Sequence, residues 1–107
     1  MIDEKKVYEH IGLKIKELRD KENFSQEVLA EKIKVSRASI ANYESGKQSI
    51  YISDLYKIAD EFSVDITELL PSIEIVKEPT LEEALGKFSK LSESEKSELI
   101  EWIKKQK

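Results

Sequence analysis

At 107 residues, with 39% hydrophobic and 37% charged side chains, the chain has the size and balance of one globular domain with a short appendage, and its net charge of −4 excludes a chain-wide basic field. The absence of Cys excludes disulfides, thiolate chemistry and cysteine zinc sites. No run approaches the ~20 apolar residues of a membrane span, and the opening Met1-Ile2-Asp3-Glu4-Lys5-Lys6 has no apolar core of a secretory leader; the expected location is the cytoplasm.

With few Gly and Pro and little strand alternation, helices are expected throughout. Val7, Ile11, Ile15 and Leu18 recur at spacings of four, four and three, one stripe of an amphipathic helix over residues 6 to 22. Asn23-Phe24 breaks it. Ser25 is a good N-cap for a short second helix with Val28, Leu29 and Ile33 inward. Ser36 caps a third that buries Ile40 and Tyr43 and ends at Gly46, the residue best suited to left-handed backbone. Ile52, Leu55, Ile58, Ala59 and Phe62 define a fourth. Asp65-Ile66-Thr67-Glu68 is a variant capping box opening a fifth, with Ile66, Leu69 and Leu70 as apolar contacts, and Pro71 stops it. Residues 1–71 thus read as an all-α bundle of five short helices.

Residues 72–79 (SIEIVKEP) alternate weakly and read as an extended linker or one short strand. Two further capping boxes, Thr80/Glu83 and Ser92/Glu95, open a helical hairpin over 80–107. Its apolar residues are Leu85, Phe88, Leu91, Leu99, Ile100, Trp102 and Ile103. A segment this short does not hold a core of its own. Either it folds back on the bundle or it is covered by the hairpin of a second chain or another partner.

Two short helices joined by a tight turn, after a longer helix, outline a DNA-reading helix-turn-helix. The strings IGLKIKELRDKENFSQEVLAEKI, VSRASIANYESGK and LYKIADEFSVDITELL, spanning Ile11 to Leu70, resemble the Xre family of bacterial and phage regulators, the lambda-Cro and phage-repressor type. The resemblance implies a lambda-repressor-like domain that binds double-stranded DNA, and, from family habit, a repressor. It also implies a structural ion pair between Arg19 and Glu44 that orients the third helix. Two departures stand out: Lys34 occupies the turn position where the family carries Gly, and Ile50-Tyr51 stands where it carries Pro-Ser.

The residues themselves accord with a DNA reader. Arg37, Ala38, Ala41 and Asn42 share the face opposite Ile40 and Tyr43. Arg can take guanine O6 and N7, Asn adenine N6 and N7, and an Ala methyl can touch a thymine methyl. Arg37, Ala38 and Asn42, with Ser36, are therefore the candidate base-reading residues. Gln26 at the start of the second helix, with Ser39, Lys47, Gln48, Ser49 and Tyr51, are candidates for phosphates; for Tyr51, packing is the stronger claim. Residues 32–50 carry four basic side chains against Glu44 alone, a local +3, while residues 1–31 are net acidic and would face away.

No Ser/His/Asp grouping, metal-ligand spacing or glycine-rich phosphate cradle is present, so no enzyme, metal or cofactor is expected, nor a small-molecule domain. The expected partners are double-stranded DNA and a second copy of the chain, and a regulatory protein is a third candidate. The rival reading is a protein-interaction module of antitoxin type, in which the hairpin carries the main function.

Overall fold

The computed structural model describes residues 1–105, apart from the side chains of Lys87 and Phe88. Asp3 opens the first helix by accepting the Lys6 backbone N–H at 3.3 Å, and α1 runs from Glu4 to Lys21. Ser25 accepts from Val28 N at 3.1 Å and starts α2, Gln26–Ile33. Ser36 accepts from Ser39 N at 3.1 Å and starts α3, Arg37–Ser45. The next helix, α4, spans Ile52–Glu61. Each of the three caps satisfies one of the N–H groups that a helix start leaves without a partner.

The helix ends repeat one device. Asn23, Lys34 and Ser63 all have positive φ (58°, 60° and 53°). The apolar residue after each donates back across the helix terminus: Phe24 N to Arg19 O, Val35 N to Ala30 O and Val64 N to Ala59 O, at 2.9–3.0 Å. These closures turn the chain sharply and tuck Phe24, Val35 and Val64 half into the interior. At Lys34 the left-handed geometry is met without glycine, at a cost of roughly 1–2 kcal/mol.

α1 packs on α3, and α2 packs on both α3 and α4. Ile15, Leu29, Ile40, Leu55, Ile58 and Leu69 are fully buried between them, each contributing about 1.5–3 kcal/mol of hydrophobic stabilisation. The α1–α3 crossing is close because of Gly12. A Cβ there would meet the carbonyl oxygens of Tyr43 and Glu44 far inside van der Waals contact.

Several sequence expectations are corrected. The fifth element is not an α-helix but a 3-10 turn, Ile66–Glu68, whose N-cap Asp65 holds Thr67 N at 3.1 Å; Pro71 follows too soon for a full turn to add. Of its apolar residues Leu69 is fully buried, whereas Leu70 is exposed. Val28 and Ile52 also lie outward: Val28 sits at the edge of the stripe formed by Leu29, Ala30 and Ile33, and Ile52 is the first residue of its helix. Residues 72–77 are not an extended linker. Ile73–Val76 forms one helical turn, α5, that packs on α1 and buries Val76. Asp3 N donates to Val76 O at 2.8 Å, and Ile2 pairs with Lys77 in an isolated antiparallel bridge. The alternating Ile73 and Ile75, which suggested a strand, are exposed.

The chain divides into two compact units, Met1–Lys77 and Glu78–Lys107. The second contains α6, Leu81–Ser89, and α7, Glu93–Lys104. Both start in reciprocal capping boxes: Thr80 with Glu83, and Ser92 with Glu95. Among the described residues no helix is long and apolar enough to cross a membrane.

Candidate nucleic-acid interface

α3 divides into two faces. Ile40 and Tyr43 are buried, while Ser36, Arg37 and Ala38 are exposed and Ala41 and Asn42 half-buried. Among the described residues, neither Arg37 nor the side chain of Asn42 has a hydrogen bond or ion pair within the protein. Their planar donor groups, flanked by two alanines, form a small surface suited to base edges. Ser36 and Ser39 are already engaged within the helix start, since their hydroxyls lie 2.9 Å apart and the Ser36 oxygen caps α3. Contact with DNA would have to share these groups with the cap.

α3 leads through Gly46 (φ 76°) into residues 47–51. Lys47, Ser49 and Tyr51 are exposed and Gln48 half-buried. Tyr51, at 69% exposure, does not pack as the sequence suggested, because it stands before the first residue of α4 and outside the buried stripe of Leu55, Ile58 and Ala59. Gln48 N donates to Asn42 O at 3.2 Å and Lys47 N to Ser45 Oγ at 3.4 Å, so this segment is fixed to the end of α3.

The orientation of α3 is held by buried polar groups. Arg19 grips Glu44 through two bonds, Nε to Oε2 at 2.7 Å and Nη2 to Oε1 at 3.1 Å, and its Nη1 donates to Phe24 O at 2.8 Å. The side chains are 12% and 5% exposed, with Asp20 3.4 Å from Arg19 on the outer side. The hydrogen bond to Glu44, against the cost of burial, holds the guanidinium pKa above its ordinary value. Gln26 Nε2 donates to Glu44 Oε1 at 3.1 Å. The amide expected on a phosphate is thus turned to the ion pair, and the backbone N–H groups of the α2 terminus are what remains for an anion. Arg19, Gln26 and Glu44, with Lys16, Ala41 and Ser45, line a surface cleft of about 360 Å³.

A second tether joins α3 to α4. Tyr43 donates its hydroxyl to Asp54 Oδ2 at 2.7 Å, both residues being buried. Lys57 stands 3.7 Å from the other oxygen. Burial, then the Asp54 carboxylate, push the phenol pKa up to about 12, opposed by a backbone hydrogen bond from Tyr51. Neither Asp54 nor Gly12 stands out in the sequence. The available signals are a tyrosine in a core position, whose hydroxyl needs a partner, and an acid in the first turn of α4.

In the second unit Leu85, Ile100, Trp102 and Ile103 are exposed, Trp102 at 60%, and Leu91 and Leu99 half-buried. The Phe88 side chain, expected on the same surface, lies outside the described residues.

Residues 15–69, just over half of the chain, match the helix-turn-helix family HTH_3. A 63-residue stretch, 59% of the chain, is 43% identical to the HTH-type transcriptional activator BcrR of Enterococcus faecalis; it spans about a third (31%) of that relative's length. Among solved structures, the restriction-modification controller protein C.AhdI from Aeromonas hydrophila superimposes with a TM-score of 0.57 at 25% identity, over 59% of this chain and 96% of that one. The BldD DNA-binding domain of S. venezulae gives 0.55 at 25% identity, over 61% and 97%. With the capped α2–turn–α3 unit and the ordered match across residues 15–69, the chain belongs to the HTH_3 helix-turn-helix family.

Proposed function

We propose that the protein is a sequence-specific regulator that binds an inverted repeat in double-stranded DNA as a homodimer and represses transcription by occupying a promoter. The observation that carries the reading is the outward α3 face, where the side chains of Arg37 and Asn42 make no hydrogen bond or ion pair among the described residues and stand beside Ala38 and Ala41. In this reading α3 enters the major groove, Arg37, Ala38 and Asn42 read bases with Ser36, and Ser39, Lys47, Gln48, Ser49, Tyr51 and the α2 terminus at Gln26 meet phosphates. The net charge of −4 predicts a shallow salt dependence, because few cations replace counterions on the DNA.

Dimerisation is assigned to residues 80–107. Leu85 of α6 and Ile100, Trp102 and Ile103 of α7 are each exposed, and large apolar side chains in a segment of this length are better covered than left in water. Two copies would place their recognition helices about one helical turn, ~34 Å, apart. A relative at 43% identity is named an activator, so the direction of control follows from where the operator lies relative to the promoter. The exposed apolar residues of α6 and α7 equally support the second reading, capture of a regulatory protein.

Sedimentation at micromolar concentration, beside a promoter-reporter assay, tests this. A dimer that Trp102→Ser/Ile103→Ser converts to monomer, with weakened operator binding and derepression, is the expected result. A monomeric wild type that still binds the full inverted repeat, or increased transcription on binding, contradicts the dimeric repressor.

A further inference from the structure

Resting on the DNA-binding reading, we propose that Tyr43 and Asp54 are positioning residues for recognition: their buried hydrogen bond fixes residues 46–51 against the base-reading face of α3. Tyr43 sits on the last turn of α3, and Asp54 on the first turn of α4. The 2.7 Å bond between them closes the connection that carries Lys47, Gln48, Ser49 and Tyr51. Arg37 and Asn42 project from α3 itself. The offset between base-reading and phosphate-binding groups therefore depends on how the start of α4 is held to the end of α3.

Other contacts act on the same segment. Gln48 N donates to Asn42 O and Lys47 N to Ser45 Oγ, the Tyr51 backbone N–H bonds the Tyr43 hydroxyl, and Ile50 packs partly against the core. The first two act before the segment reaches α4. The Tyr51 bond is made to the same phenol, and the Ile50 contact is apolar and non-directional, so it tolerates sliding. The Tyr43–Asp54 bond is directional, protected from water, and joins the two helices. Lys57 stands 3.7 Å from Asp54 Oδ1, an ion pair on the carboxylate oxygen that the phenol does not use.

The test uses the full chain and the duplex that wild type enriches from a random pool, at 10 °C, where circular dichroism confirms folding. Tyr43→Phe and Asp54→Ala are expected to lower affinity for that duplex about tenfold, leave binding to a scrambled duplex unchanged, and reduce the slope of log K against log salt by about one. Asp54→Asn keeps an oxygen that accepts the phenol and should stay within about twofold of wild type. A purely structural bond would lower the melting temperature alone; folded Tyr43→Phe with wild-type affinity and salt slope overturns the proposal. So does Asp54→Asn as defective as Asp54→Ala, since hydrogen-bond acceptance would then be irrelevant. If a variant melts below the assay temperature, it is remade with Lys34→Gly to restore the fold. A wild type that enriches no sequence overturns the DNA-binding reading instead.

Discussion

Tyr43 and Glu44 are adjacent on α3, yet they tie that helix to two different neighbours. Glu44 is held by Arg19 of α1, through bonds of 2.7 and 3.1 Å, and Tyr43 holds Asp54 of α4 at 2.7 Å. Consecutive residues on a helix point about 100° apart, so one dipeptide reaches two neighbouring helices while Arg37, Ala38 and Asn42 lie on the remaining face. Five consequences are open to measurement.

Arg19→Ala leaves the Glu44 carboxylate, 5% exposed, without its partner. The expected loss is about 3–5 kcal/mol of stability, enough to abolish DNA binding by unfolding. Arg19→Lys should recover little, since an ammonium cannot make the two-pronged contact. Urea denaturation measures both; an Arg19→Ala variant with the wild-type denaturation midpoint contradicts the role.

Gly12→Ala drives a methyl group into the backbone of Tyr43 and Glu44. Backbone cannot swing aside as a side chain does, so a destabilisation of about 3 kcal/mol is expected. Thermal melting reads it, and a neutral substitution would show that α1 and α3 separate without cost.

Lys34→Gly relieves left-handed strain at φ 60°, and should raise stability by about 1 kcal/mol with no effect on DNA affinity. An unchanged or lower denaturation midpoint would mean that Lys34 contributes interactions that offset its strain.

The phenol of Tyr43 titrates at about 12 in the folded protein against an ordinary value of 10.0. Its folded-state pKa is raised, so the stabilisation is complete below pH 10 and disappears as pH rises from 10 to 12. A difference of that size corresponds to about 3 kcal/mol. Denaturation midpoints for wild type and Tyr43→Phe should therefore converge over that interval; a constant difference contradicts it.

Much of the α1–α4 scaffold is legible in the sequence because its determinants are local. Ser25 and Ser36 cap helices three residues away, and Ile11, Ile15, Leu29, Ile33 and Ile40 lie where helical periodicity puts them. What escapes is non-local. α5 is held by pairing of Ile2 and Asp3 with Lys77 and Val76, far along the chain, which no short window reveals. Gly12 matters because of the end of a helix two elements later, and the Gln26–Glu44 bond joins residues 18 apart. At the interface, residue types suggest Arg37 and Asn42, but not that the hydroxyls of Ser36 and Ser39 and the amide of Gln26 already have protein partners.

That the α3 face reads sequence is the central claim, and selection from a random double-stranded DNA pool tests it most directly, with wild type beside an Arg37→Ala/Asn42→Ala variant. Each lost bidentate contact should remove about 1–3 kcal/mol of discrimination. Wild type is expected to enrich an inverted repeat, and the folded double variant is not. Enrichment of the same sites by both proteins, or of none by wild type, would contradict the claim.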